Sequence, residues 1–132
     1  MDRRHFILST AALTMVPAFA QAAGFADYTP GAIDAALAEG KTVFVDYSAT
    51  WCSTCARQSR VIESLRAADP AYDANMVFIK VDWDTYKDDM VTVSRNIPRR
   101  STLLVLRGDA ELGRIVAGTA ESEIKALMDT GL

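Results

Sequence analysis

The run Val43-Phe44-Val45-Asp46-Tyr47 is apolar at all positions but one and leads straight into Trp51-Cys52-Ser53-Thr54-Cys55. A strand without polar alternation has to be covered on both faces, which calls for helices above and below a sheet. Cys52 and Cys55 are the only cysteines in the chain, so any structural disulfide within it would join this pair. Two thiols three residues apart, delivered by a strand to the start of a helix, are what dithiol–disulfide exchange needs.

The remaining pattern extends this frame. Thr29-Pro30-Gly31 reads as a helix start, with Pro30 at the first helical position, and Gly40 as its stop. Thr42 to Tyr47 is a central strand, and a helix runs from Cys52 or Ser53 to about Ala68, ending at Asp69-Pro70. Met76 to Val81 is a second strand, and Tyr86 to Arg95 a short helix broken by Asn96-Ile97-Pro98. Leu103–Leu106 and Leu112–Val116 form a hairpin around Gly108-Asp109, and a last helix follows Gly118-Thr119. The order α-β-α-β-α-β-β-α predicts an α/β fold, a central mixed sheet flanked by helices on both faces.

The N-terminus predicts export. Met1 to His5 is a positive n-region and Phe6 to Phe19 an apolar segment, with small-x-small cleavage sites at Ala18-Phe19-Ala20 and Ala20-Gln21-Ala22. Arg3-Arg4-His5-Phe6-Ile7 partly matches a twin-arginine signal, and a general secretory route is the alternative. The expected division is a cleavable segment over 1–22 and a domain over 23–132, placed in a bacterial periplasm. Removing the segment takes away two arginines and one aspartate, so the net charge of −3 becomes −4. That balance gives no case for nucleic acid. The only histidine, His5, leaves as well, which excludes histidine-dependent catalysis and histidine-ligated zinc in the domain.

At a helix N-terminus, unpaired backbone N–H groups and the helix dipole favour the Cys52 thiolate, the attacking species. Cys55, one turn on, is placed to resolve a mixed disulfide. Trp51 shields the pair and offers partners an apolar contact. The spacing is also met in structural disulfides and two-cysteine metal sites. Asp46 among apolar neighbours is costly to bury ionised, so its pKa should rise and it could shuttle a proton; the alternative is a carboxylate turned to solvent.

With these residues in place the chain resembles the thioredoxin family from Phe25 to Leu132. The resemblance rests on Val43 to Cys52, on Asp46 six residues before Cys52, on Lys80, on Ile97-Pro98 and on Gly118. It implies that Cys52 and Cys55 form the redox-active pair with no cofactor or metal, and that Asp46 assists deprotonation of Cys55. It implies that Lys80 neighbours Asp46, although Lys80 could equally extend to solvent. It also implies that Ile97-Pro98 is a cis-proline loop facing the disulfide, where the Ile97 backbone meets an extended substrate.

Two departures stand out. Arg99-Arg100 look like extra residues before Ser101-Thr102, either a basic patch that stabilises the thiolate and selects acidic partners or a solvated insertion. Ser53-Thr54 lacks the histidine of strongly oxidising relatives, so a less depressed Cys52 pKa and a comparatively reducing couple are expected. The combined expectation is a monomeric reductase of disulfide-containing exported proteins, recharged by a membrane electron-relay protein. The alternative is a module holding Cu(I) between the two thiolates. Trp83, Tyr86, Met76, Met90 and Met128 read as core, and Asp82, Asp84, Asp88 and Asp89 as a solvated acidic loop.

Overall fold

The computed structural model describes residues 24–132, so the expected export segment lies outside the described residues. Five strands form one sheet: β1 (Ala26–Asp27), β2 (Thr42–Ser48), β3 (Met76–Asp82), β4 (Thr102–Arg107) and β5 (Ala110–Val116). They lie in the order β1-β3-β2-β4-β5, parallel between β1, β3 and β2 and antiparallel from β2 through β4 to β5. The mixed sheet is as expected. β2 sits at its centre with all seven residues buried, as its apolar run requires.

Side chains of β2 alternate between two cores. Val43, Val45 and Tyr47 pack with Ile79, Val81, Leu104 and Leu106. Helix α1 (Ala32–Ala38) covers that face through Ile33 and Ala36. Phe44 points the other way, with Phe78, Leu103 and Val105, beneath α2 (Ser53–Ala68) and α6 (Glu121–Asp129). Asp46 shares the Phe44 face by alternation, so it is directed toward the layer that carries the cysteines.

Several local expectations are corrected. Gly31, not Thr29, is the N-cap of α1; it sits at φ 84°, a conformation open to glycine and strained for other residues. A separate short helix, α3 (Ala71–Asn75), follows Pro70. The expected helix from Tyr86 to Arg95 is two single turns, α4 (Trp83–Tyr86) and α5 (Met90–Val93). Their boundaries follow from capping. Asp82 accepts from the Thr85 N–H at 3.1 Å and Asp89 from the Val91 N–H at 3.2 Å, each starting a new turn. Asp82 and Asp89 of the acidic stretch are therefore helix caps.

Candidate active site

Cys52 is the N-cap of α2, and its sulfur accepts the Cys55 N–H at 3.2 Å. The cap geometry aims an otherwise unpaired helix donor at the sulfur, where negative charge develops on reduction. Cys52 and Cys55 are joined as a disulfide and are 4% and 1% exposed, so the pair is sheltered under its own helix turn. Ala49 and Trp83 pack against it, which gives Trp83 a place beside the thiols that the sequence reading did not assign. A cavity of about 580 Å³ opens alongside Cys52, lined in part by Thr50, Ser59, Arg60, Lys80 and Asp82.

Asp46 is fully buried, and neither carboxyl oxygen has a hydrogen-bond partner among the described residues. Burial pushes its pKa up from 3.8 to about 7, and the positive charge of Lys80 pulls against that rise. The solvated alternative for Asp46 is thereby excluded. Lys80 is the register neighbour of Asp46 across β2 and β3, yet its ammonium lies 4.9 Å from the Phe25 ring centroid and forms no ion pair with Asp46 among the described residues. Lys80 is therefore near enough for its charge to act on Asp46 without being bonded to it.

The proline expectation is overturned. Among the described residues no peptide bond is cis, so Ile97-Pro98 is trans. Ile97 is buried in the core with Tyr47 and Val91, and Pro98 is exposed. The residue brought to the sulfurs is Ser101: its Oγ lies 3.2 Å from Cys52 Sγ and 3.0 Å from Cys55 Sγ. The physical reason is the start of β4. Ser101 directly precedes Thr102, the first residue paired to Tyr47, so register with β2 carries position 101 and not 98 to the end of the central strand. The two arginines take up the slack between Pro98 and that point.

Those arginines are half-buried. The Arg100 guanidinium stacks over the Trp51 ring at 4.4 Å, and Trp51 Nε1 donates to Asp84 at 2.8 Å. Trp51 is 58% exposed, a broad apolar face held between one cation and one carboxylate at the rim of the dithiol. Arg99 donates from Nε to the Arg100 carbonyl. Ser53 and Thr54 form the first turn of α2 between the cysteines.

Two residues to which the sequence reading gave no role, Gln58 and Ser101, complete the site. Gln58, one turn beyond Cys55 and fully buried, donates from Nε2 to the carbonyls of Ser101 at 3.0 Å and Gly118 at 2.9 Å. The signal was a Gln on the apolar side of α2, in step with Cys55 and Ile62. Ser101 left no such signal, since a serine before a strand is ordinary.

A sequence profile described as Thioredoxin-like matches residues 25–103. Thioredoxin-1 of Saccharomyces cerevisiae is 32% identical over 88 residues, covering 67% of this chain and 80% of the relative. Thioredoxin-2 of the same yeast is 37% identical over 84 residues, covering 63% and 75%. Among solved structures, Trxlp from Edwardsiella tarda superposes with a TM-score of 0.67 at 31% identity, covering 82% of this chain and 98% of that one. The oxidised thioredoxin of Plasmodium falciparum gives 0.65 at 27% identity, covering 80% and 96%. With the Cys52–Cys55 pair at the start of α2, these similarities make the chain a member of the thioredoxin-like family and a thiol–disulfide oxidoreductase.

Proposed function

We propose that this oxidoreductase is exported to a bacterial periplasm, where it works as a monomer and reduces disulfides in exported proteins. The observation that carries the chemistry is the capped position of Cys52, whose sulfur receives the Cys55 N–H. In the reduced protein the Cys52 thiolate attacks one sulfur of a partner's disulfide. A Cys52–partner bond forms, and the other partner sulfur leaves as a thiolate. Cys55 gives its proton to the Asp46 carboxylate and attacks Cys52 Sγ, which closes the Cys52–Cys55 disulfide and expels the second partner thiolate. Partner cysteines gain two electrons, and the enzyme is left oxidised. A membrane electron-relay protein restores the dithiol.

Three features support, in turn, the reductive direction, the location and the kind of partner. Ser53-Thr54 places no positive charge between the cysteines, so the reduced form lacks that source of stabilisation. The positive n-region and apolar segment before residue 22 have the layout of an export signal. Trp51, with Arg100 behind it, offers an apolar and cationic landing face beside Cys52 for an unfolded or acidic partner segment.

Equilibration with a graded series of glutathione buffers tests the direction. The expected couple is clearly more reducing than the strong oxidants, which lie near about −120 mV; a value in that range would reverse the assignment.

A further inference from the structure

Ser101 holds a conformation that costs energy. Its φ of 64° lies in the left-handed region, unusual for a residue with a Cβ, and it is wholly buried. Three hydrogen bonds fix it there. Its N–H donates to the Tyr47 carbonyl at 2.7 Å, and its own carbonyl accepts from the Ala117 N–H at 2.9 Å and from Gln58 Nε2 at 3.0 Å. The side chain so held has one polar atom, and it lies within 3.2 Å of both sulfurs. A disulfide sulfur has no proton, so in this oxidised state the hydroxyl is the donor. The backbone is over-determined, and the result is a hydroxyl set between the two reacting atoms.

We propose that Ser101 is a catalytic residue of the dithiol, its hydroxyl donating a hydrogen bond to the Cys52 thiolate while accepting one from the Cys55 thiol, with no proton transferred. The proposal rests on the redox role of the pair and adds the group that sets its thiolate. A hydroxyl has one proton to give and lone pairs to receive, so the chain Cys55 S–H to Ser101 O–H to Cys52 S⁻ uses each group once. With the Cys55 N–H it supplies Cys52 with two converging donors, both at 3.2 Å. Ser101 thus contributes from β4 part of what the uncharged Ser53-Thr54 turn does not contribute from α2. Reduction by two glutathione thiols gives one glutathione disulfide and the Cys52/Cys55 dithiol, after which Cys52 releases its proton to solvent. Ser101 favours that last ionisation and gains or loses no atom.

Thiolate formation is read from the pH dependence of iodoacetamide alkylation of Cys52 in the reduced full chain, for wild type, Ser101→Ala and Ser101→Gly. The ionisable groups of the cavity beside Cys52 and of the Trp51 rim stay in place in all three: Arg60 on α2, Lys80 and Asp82 on β3, Asp27 and Tyr28 at β1, and Arg100 and Asp84 around Trp51. So does Asp46, buried in β2 on the side of the sheet that α2 covers. Loss of one charge-assisted hydrogen bond should move the alkylation midpoint up by about one pH unit, a tenfold loss of thiolate below it. The glutathione equilibrium should shift in the same sense, toward the disulfide, by up to about tenfold. Both variants should behave alike, since both lack the hydroxyl while glycine alone is free of strain at this φ. An unchanged midpoint in Ser101→Ala, or a shift confined to Ser101→Gly, overturns the role of the hydroxyl while leaving the redox pair intact. A wild-type chain that fails to exchange with glutathione at all overturns the redox reading itself, and Ser101 with it.

Discussion

Asp46 was legible as a residue: one acid inside an apolar run has to be either neutral or costly, and it proves to be fully buried with a pKa of about 7. Its effect on stability follows from that direction. Below pH 3.8 both folded and unfolded chains hold the proton, and burial of the charge costs nothing. Between pH 3.8 and about 7 the folded state holds the proton that the unfolded state has lost, so stability falls as pH rises; above about 7 the whole cost is present. Asp46→Asn should therefore be more stable than wild type by roughly 2–4 kcal/mol at pH 8, with the gain vanishing toward pH 4, as read by denaturant unfolding at several pH values. In the mechanism proposed above Asp46 takes the Cys55 proton, so the same variant should slow turnover at neutral pH. Ser101 was not legible at this scale. The sequence contains a more conspicuous Ile-Pro three residues earlier, and only the register of β4 on β2 shows which position reaches the sulfurs.

At the scale of elements, β2, α2, β3, the β4–β5 hairpin and α6 were all readable, because each carries a sustained apolar period or an unmistakable turn. The two-residue β1 and the single turns α3, α4 and α5 were not. Elements that short have no period, and their limits depend on side-chain caps such as Asp82 and Asp89. Helix α2 shows how the site is braced. Its N-terminal half carries Cys52, Cys55 and Gln58. Its C-terminal end carries Arg66, which is buried over the Phe78 ring at 4.0 Å and paired with Asp73 of α3 at 2.6 Å. Asp73→Ala removes the carboxylate partner of that guanidinium, leaving it, among the described residues, only the Gly24 carbonyl at 3.1 Å, and should destabilise the chain by about 1–3 kcal/mol, visible as a lower denaturation midpoint with little change in Cys52 alkylation. Gln58→Ala should cost a similar 1–3 kcal/mol but also disturb alkylation, because two carbonyls of the active-site loops lose a donor. The contrast between these variants separates the structural end of α2 from its chemical end.

For the molecule as a whole, the sequence was most informative where chemistry and fold constrain the same residues. A strand buried on both faces implied a two-sided sheet, and its continuation into Trp51–Cys55 implied the site at its end. The substrate face was less legible, since the Arg100–Trp51 stack joins residues far apart in the chain. Arg100→Ala should weaken reduction of acidic protein disulfides more than neutral ones, by a few-fold in kcat/KM, with the difference fading at high salt. The most direct test of the central claim uses Cys55→Ser and Cys52→Ser separately, each incubated with a disulfide-containing protein and weighed intact by mass spectrometry. Cys52 as nucleophile and Cys55 as resolver predict a stable one-to-one mixed disulfide on Cys52 in the Cys55→Ser chain and little or none in the Cys52→Ser chain. Equal capture by both variants, or capture by Cys52→Ser alone, would contradict it.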